Sequence, residues 1–345
     1  MKKKVLAAMS GGVDSGMTAL LLQKQGYEVE GATFVNGYGA PAEAAARLAG
    51  EMGLKHHVVD IRARFAKEVI EPFVAAYMQG NTPNPCIVCN QKIKFSVFLP
   101  LMEETGADYF ATGHYVRKIE RDGCCYLAKA ADTHKDQSYF LYAVPQSVLT
   151  RCLFPLGAYT KAEIRDLAAA AGLSAARQKD SQDICFIQDD YRELLRQKAG
   201  AAFRPGPIVD ENGNVVGRHQ GLANYTLGQR RGVPVALGYP AYVTGLDTAG
   251  NTLHLGLKEA TYSNRIRLRD TVFFGDYRRQ MPLDAQVKVR YKSPEAPARI
   301  EEDASGQILI RLAQPQSAVT PGQSAVWYMG DEVAGGGIVA EAYME

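Results

Sequence analysis

Lys4-Val5-Leu6-Ala7-Ala8-Met9-Ser10-Gly11-Gly12-Val13-Asp14-Ser15 is the stretch that decides the fold. Lys4–Ala8 reads as a short apolar strand, and Gly16–Gln25 reads as the helix that follows it. Two glycines between two serines at a strand-to-helix turn let backbone N–H groups come close to an oxyanion, and the helix start adds partial positive charge. Such a loop holds phosphate or pyrophosphate. A Gly-Gly pair alone is more often a plain tight turn. Here strand, glycines, serines, Asp14 and helix coincide in one short segment. The Walker pattern, with a lysine after the glycines, is absent. Lysine-driven transfer of a γ-phosphoryl group is therefore not the expectation.

Ser10-Gly11-Gly12-Val13-Asp14-Ser15 resembles the signature of the PP-loop ATP pyrophosphatases. That resemblance implies an enzyme that splits ATP to AMP and pyrophosphate, usually by adenylating its substrate. Asp14 then suits a Mg²⁺ site beside the pyrophosphate.

Outward from the loop, strand and helix alternate. Strands are expected at Lys4–Ala8, Glu28–Phe34, Lys55–Asp60 and Asp108–Thr112, and helices at Gly16–Gln25, Ala42–Met52, Phe65–Gln79 and Asn90–Thr105. Gly26, Gly53 and Gly106 stand just past helix ends, where a left-handed cap is wanted. The alternation argues a parallel sheet covered by helices, with ligands at the carboxyl ends of the strands. Thr160-Lys161-Ala162-Glu163 reads as a capping box opening a helix to Ala171, and another helix is expected over Asp189–Ala199. Arg204-Pro205-Gly206-Pro207 is a breaker, and the segments beyond it are short and rich in Gly, Asn and Asp. From Tyr262 onward, alternating runs recur at Val287–Tyr291, Ala298–Glu302, Gln307–Leu312, Gln323–Tyr328 and Gly337–Ala342, a spacing that suits a small antiparallel barrel or sandwich. The expected organisation is α/β: a parallel-sheet PP-loop domain (adenine nucleotide α-hydrolase-like) over 1–202, a small central β-rich domain over 203–260, and a C-terminal antiparallel β-barrel over 261–345.

The bulk properties set limits. A chain of 345 residues has room for two or three domains, and 46% hydrophobic with 22% charged residues is the composition of a soluble globular protein. No run of about 18 apolar residues exists, so no membrane span is expected. The start reads as a first strand rather than a signal peptide, and a cytoplasmic location is the default. The net charge of +2 is too small to announce a nucleic-acid binder. Basic clusters at Arg192, Arg196, Lys198 and Arg204, at Arg230 and Arg231, and at Lys288, Arg290 and Lys292 each read singly as a solvated face.

Six cysteines, in a chain long enough to bury a core without staples, read as thiols. Pro83 and Pro85 hold an extended loop before Cys86-Ile87-Val88-Cys89-Asn90, and Asn90 suits a helix N-cap. Cys89 then sits at a helix start near Lys92 and Lys94, which makes it a candidate low-pKa nucleophile. Cys-x-x-Cys has other readings: half of a zinc site, a redox pair, two ligands of an iron–sulfur cluster with Cys185 as a third, or simply two buried loop thiols, which fits Cys86 better than Cys89. Cys185, between Ile184 and Phe186, reads by itself as a core residue, and Cys124, Cys125 and Cys152 as structural.

Motifs along nearly the whole chain then combine. Ser10–Ser15, Thr82-Pro83-Asn84-Pro85 with Cys89-Asn90, Ile93-Lys94-Phe95, Ala111-Thr112-Gly113-His114-Tyr115 and Lys135-Asp136-Gln137-Ser138-Tyr139-Phe140-Leu141 come first. Asp180-Ser181, Ile184-Cys185-Phe186-Ile187, His219-Gln220-Gly221, Tyr225-Thr226-Leu227-Gly228-Gln229-Arg230, Arg290-Tyr291 and Thr320-Pro321-Gly322-Gln323-Ser324-Ala325 follow. In this order the chain resembles the bacterial tRNA-specific 2-thiouridylases, the MnmA family.

The resemblance implies that ATP adenylates the C2 oxygen of a wobble uridine in tRNA, and that a cysteine persulfide delivers sulfur as AMP leaves. It implies Cys89 as nucleophile, Cys185 as persulfide carrier, and a disulfide between them closing the cycle, with a persulfide-carrying relay protein as partner. Ala8, Met9, Ser10, Gly11, Gly12, Val13, Asp14, Ser15, Phe34 and Gly113 would bind ATP. Asn84, Pro85 and Cys86 would meet the flipped base, and His114, Lys135, Asp136, Gln137, Arg290, Tyr291 and Gln323 the tRNA. For His114 the plain alternative is a satisfied loop histidine, and for Lys135-Asp136-Gln137 a charged turn.

Two departures stand out. Asn36-Gly37-Tyr38-Gly39-Ala40-Pro41 passes directly to the next helix, where the family usually carries a longer loop, and Cys86 stands where many members have aspartate. A third thiol keeps a [4Fe–4S]-dependent thiolase on Cys86, Cys89 and Cys185 in view. A divergent tRNA-binding paralogue without catalysis, and a PP-loop ligase or amidotransferase acting on a metabolite, are the remaining alternatives.

Overall fold

The computed structural model describes residues 2–38, 42–177, 184–187, 190–200 and 203–345. The chain forms two compact units. The first holds 1–69, 86–186 and the stretch 331–333; the second holds 70–85, 187–330 and 334–345.

The first unit is built on five parallel strands: β1 (Lys4–Ala8), β2 (Glu28–Val35), β3 (His56–Asp60), β4 (Tyr109–Ala111) and the two-residue β7 (Cys152–Leu153), in the order β3-β2-β1-β4-β7. Val5, Leu6 and Ala7 of β1 are all fully buried, as expected of a strand covered on both faces. Strand alternation shows how the covering is arranged. Ala111 joins Val5, Ala7, Ala19 and Leu22, and so meets helix α1 (Val13–Lys24). Its neighbour Phe110 points the other way, with ring centroids 5.4 Å from Phe95 and 4.7 Å from Phe98 of α6 (Phe95–Thr105). Helix α2 (Ala42–Glu51) packs Ala45, Leu48 and Ala49 beside α1, with Ile164 and Ala168 of α8 (Lys161–Ala170). The parallel sheet covered by helices that the alternation argues is present.

Crossovers leave β1 for β2 on one side while β4 pairs on the other, so the glycine loop after β1 stands at the switch point of the sheet. Gly26, Gly53 and Gly106 all take positive φ. Helix α1 starts at Val13 rather than Gly16, because Gly12 is already an extended N-cap (φ −84°, ψ 166°).

Two further segments differ from expectation. The helix predicted over Phe65–Gln79 is a short α3 (Arg62–Phe65), a π turn over Ala66–Ile70 and α4 (Glu71–Met78). The helix predicted from Asn90 begins at Pro85: α5 (Pro85–Cys89) runs through a π turn over Asn90–Lys94 into α6. Proline suits a first helical turn, where its missing N–H has no intrahelical partner to lose. The sequence reading missed the hairpin β5 (Arg117–Arg121) and β6 (Cys124–Ala128). Its turn, Asp122-Gly123, takes φ of 52° and 74°, the turn that Asp-Gly specifies. Helix α7 (Gln146–Leu149) precedes β7.

The second unit holds α4 and α9 (Tyr191–Ala199), joined by a stacked Tyr77–Tyr191 pair at 4.7 Å. Asp190 caps α9 through Arg192 N–H. Strands β8 (Gly206–Val209), β9 (Val215–His219), β10 (Tyr242–Asp247) and β11 (Thr252–Gly256) form a sheet in the order β10-β11-β8-β9 around Ile208, Val243, Leu253 and Leu255. Then come β12 (Tyr262–Phe273), β13 (Leu283–Lys288), β14 (Ala296–Glu302), β15 (Ile308–Ser317), β16 (Ser324–Met329) and β17 (Glu332–Tyr343). They run in the order β12-β15-β14-β13-β16-β17, and the β12–β17 pairing closes them into a six-stranded antiparallel barrel, which resolves the choice between barrel and sandwich. Trp327 is fully buried within it.

Candidate active site

The glycine loop is shaped by its neighbours. Gly11 takes φ +82°, and a Cβ there would lie 2.8 Å from Ala44 Cβ and 2.9 Å from its carbonyl carbon. Only glycine lets the loop approach α2 in that conformation. Ser15 is buried and closes the loop: its hydroxyl donates to the Gly12 carbonyl at 2.9 Å and accepts from Ser10 N–H at 3.2 Å. Gly12, the N-cap of α1, has no side chain with which to cap the first N–H donors of that helix. Gly113 follows β4 with its α-carbon close to Asp14; a Cβ would meet Asp14 backbone and Cβ at 3.3 Å. Thr33 of β2 donates to the Met9 carbonyl at 2.8 Å and lies 2.8 Å from His56 Nε2, which ties the loop to β3. Ser10 to Ser15 and Gly113 thus converge, while Phe34 packs edge-on to Phe98 at 4.9 Å.

Asp14 is already partnered. Lys161 Nζ lies 2.7 and 2.8 Å from its two carboxylate oxygens, and Tyr115 OH donates to Oδ1 at 2.8 Å. Both oxygens of the carboxylate read as a Mg²⁺ ligand are thus engaged by Lys161 and Tyr115 in this arrangement.

The thiols need a correction. Because α5 starts at Pro85, Cys89 lies inside the helix rather than at its start, and Asn90 is a buried helical residue instead of an N-cap. Asn90 Nδ2 donates to the Phe140 carbonyl at 3.0 Å, and its Oδ1 is buried with no hydrogen-bond partner among the described residues. Burial pushes the Cys86 thiol up to about 11, against a smaller lowering by Lys94, and the charge of Cys185 adds to the rise. Cys89 is raised for the same reasons, burial first, with Lys94 opposing and Cys185 adding. Cys89 is therefore a shielded, protonated thiol and not the activated one expected from a helix terminus. Cys185 is exposed, where the sequence suggested a core position. Its neighbour Phe186 supplies the anchor, packed at 5.7 Å from Phe65 and 6.2 Å from Tyr38. The shortened loop after β2 reaches this point: Asn36 Nδ2 lies 3.6 Å from Cys185 Sγ. Cys86, Cys89 and Cys185 lie within electrostatic reach of one another and belong, with the glycine loop, to the first unit. Among the described residues no group of three or more His, Cys, Asp or Glu side chains is placed to hold a metal ion, so the cysteines as arranged do not fit an iron–sulfur cluster. Cys125 and Cys152 are buried, as structural thiols should be. Asp180 and Ser181 lie outside the described residues.

Several expected RNA contacts point inward. Asp136 is buried; its Oδ1 accepts from Ala130 N–H (3.0 Å) and Ser138 N–H (3.2 Å), and its Oδ2 from Ser138 Oγ (2.8 Å). Gln137 accepts from Tyr115 N–H at 3.0 Å. Asp136 thus braces the turn between Ala130 and Ser138, and the half-buried Gln137 braces Tyr115. Burial, then Lys94, lowers His114 well below the usual histidine range, and its ring lies against Phe95 at 6.1 Å. A neutral ring brings a hydrogen-bonding edge but no charge. In the second unit, Gln323 Nε2 donates to the Thr82 carbonyl at 2.7 Å, Arg290 donates to the Ala318 carbonyl, and Lys288 lies 5.9 Å from the Tyr291 ring. Asn84 and Pro85 belong to that unit as well, and Lys135 stays with the first. Sequence reasoning missed Lys161 and Tyr115. Lys161 was visible only as part of a capping box, and nothing local links it to a loop 147 residues away.

Family models match nearly the whole chain. A tRNA methyl transferase HUP domain covers residues 3–189, a tRNA methyl transferase PRC-barrel domain 192–257, and an aminomethyltransferase beta-barrel domain 263–339. The tRNA-specific 2-thiouridylase MnmA of Desulfitobacterium hafniense (strain Y51) is 42% identical over 361 residues, covering 97% of this chain and 98% of its own. The chain belongs to the MnmA family. Other members include those of Heliobacterium modesticaldum, 44% identical over 98% of this chain and 93% of its own, and Syntrophomonas wolfei, 42% identical over 97% and 99%. The family resemblance read from scattered motifs therefore extends along the full length. As for membranes, no described helix is long and apolar enough to cross one.

Proposed function

We propose that this protein replaces the C2 oxygen of a wobble uridine in tRNA with sulfur, consuming ATP and releasing AMP and pyrophosphate. One observation supports the reading most: a single unit of an MnmA-family chain carries both a glycine loop whose N-cap has no side chain and three neighbouring thiols, Cys185 exposed, Cys86 half-buried and Cys89 buried. A ligase acting on a metabolite has no use for that second feature.

The chemistry follows in order. The uridine O2 attacks the α-phosphorus of ATP, and the P–O bond to pyrophosphate breaks. Cys185, exposed to a persulfide-bearing relay protein, accepts a sulfane sulfur and becomes a persulfide. The terminal sulfur attacks C2, and the C2–O bond breaks as AMP leaves. Cys89 then gives up its proton and attacks Sγ of Cys185. A Cys89–Cys185 disulfide forms, the S–S bond to the transferred sulfur breaks, and C2=S remains. An external thiol reductant restores both cysteines. Burial of Cys89 suits a thiol that acts only after sulfur has been delivered, with Lys94 lowering the cost of its ionisation. The second unit would grip the tRNA by shape and backbone, with Arg290 and Tyr291 at the β13–β14 connection.

The test incubates the full chain with undermodified tRNA, magnesium-ATP and a persulfide donor, and reads nucleosides by mass spectrometry. Formation of 2-thiouridine is expected, and it should vanish in Cys89→Ser and in Cys185→Ser. Appearance of a methylated nucleoside instead, or full single-turnover activity in both variants, would overturn the reading. Iron and sulfide analysis of the active protein decides separately on a cluster-dependent route.

A further inference from the structure

The glycine loop lacks an internal lysine, yet an ammonium stands at its mouth. Lys161 Nζ lies within 2.8 Å of both oxygens of Asp14, the second residue of α1. The pair is tucked in on one side only: the Lys161 side chain is 10% exposed and that of Asp14 36%. Tyr115 fixes the arrangement, its hydroxyl on Asp14 Oδ1 and its ring 5.9 Å from the ammonium.

The helix that presents this lysine gains nothing from it. Lys161 is the first residue of α8, where a cation opposes the helix dipole. The start of α8 is already satisfied by the reciprocal Thr160–Glu163 box. The ammonium is instead carried to the start of α1, whose N-cap, Gly12, supplies no side-chain cap. Glu163 and Asp132, whose Oδ2 accepts from the Lys161 backbone N–H at 3.0 Å, already meet the start of α8, so the Lys161 charge acts on Asp14 and the start of α1. An ammonium held beside the start of α1 and the glycine loop adds a cation where that loop would receive phosphate.

We infer that Lys161 is the phosphate-binding lysine of this site, held in place by Asp14 and Tyr115, and that its ligand is the triphosphate chain of the nucleotide. This rests on the reading of ATP as substrate given above. On binding, the ammonium exchanges one carboxylate oxygen for a phosphate oxygen and faces the charge that passes to the departing pyrophosphate. Lys161 is a substrate-contacting residue, whereas Asp14 and Tyr115 are positioning residues.

Equilibrium binding of ATP and of adenosine to the full chain tests this. Lys161→Gln should lose about 10- to 100-fold in ATP affinity, the range for one charge-assisted hydrogen bond, while adenosine binding stays within about twofold. Lys161→Arg should recover part of the loss. Unchanged ATP affinity in Lys161→Gln overturns the assignment, and so does an equal fall for ATP and adenosine, which would mark the lysine as a brace for the loop. If Lys161→Gln does not fold because Asp14 is left uncompensated, Asp14→Asn combined with Lys161→Met removes both charges and must still show the selective loss. Failure of the wild-type protein to bind ATP would count against the nucleotide reading itself, a result separate from the others.

Discussion

Gly11 is the loop glycine that tolerates a side chain least. An added methyl group would meet Ala44 at 2.8 Å in a backbone conformation that side chains rarely adopt. Gly11→Ala should destabilise the protein by about 1–3 kcal/mol and reduce pyrophosphate release, measured by thermal unfolding beside a pyrophosphate assay. The thiols make a second prediction. With Cys86 raised to about 11 and Cys89 raised alongside it, little thiolate exists on either at neutral pH. Alkylation followed by peptide mapping should mark Cys185 first, with Cys86 and Cys89 reacting only as pH climbs toward the raised values. Early modification of Cys89 at neutral pH would contradict its shielding. The loop was legible in the sequence because everything that makes it sits in one local segment. The shielding of Cys89 was not, because it depends on Pro85 starting the helix five residues before Asn90. Nor was the inward turn of Asp136, since its partners Ala130 and Ser138 are set by the path of a loop.

Helix α8 owes its start to Thr160 and Glu163, and it delivers Lys161. Thr160→Ala removes the box and should cost about 1 kcal/mol, read by denaturant unfolding, with ATP affinity falling as well. At the amino ends of the parallel strands, Glu30 is 8% exposed in its side chain and accepts from His57 at 2.6 Å and Lys4 at 3.1 Å. Burial alone would raise its pKa, but these hydrogen bonds outweigh burial and hold it below its ordinary value of 4.5. A carboxylate whose folded pKa is depressed contributes stability above the unfolded value, and that contribution is lost as pH falls through the folded one. Melting temperature should therefore drop on acidification below 4.5, and Glu30→Gln should flatten that dependence. An identical acid slope in the variant would remove Glu30 from the account. Element boundaries were readable where the pattern is regular, as in β1, β2 and α2. Strand β12 escaped because pairing shifts between Ser263 and Arg265, and again between Arg269 and Val272, break its alternation. The β5–β6 hairpin was within reach, since Asp122-Gly123 announces it.

At the scale of the molecule, each unit has its own apolar interior, one around the parallel sheet and others within the central sheet and the barrel. Ligand that binds only the folded first unit should stabilise it by about 2.7 kcal/mol when present at a hundred times its dissociation constant. Backbone circular dichroism with and without ATP measures this, and no upward shift would argue against binding at the loop. The second unit can be followed on its own. Trp327 is the single tryptophan of the chain, fully buried and 5.2 Å from Phe273, and its indole N–H has no hydrogen-bond partner among the described residues. The chain thus contains its own optical gauge: emission from that one fluorophore stays short-wave and shielded from quenchers while the barrel holds, and reddens when water enters, so a label-free spectrum reports on the barrel of the second unit alone.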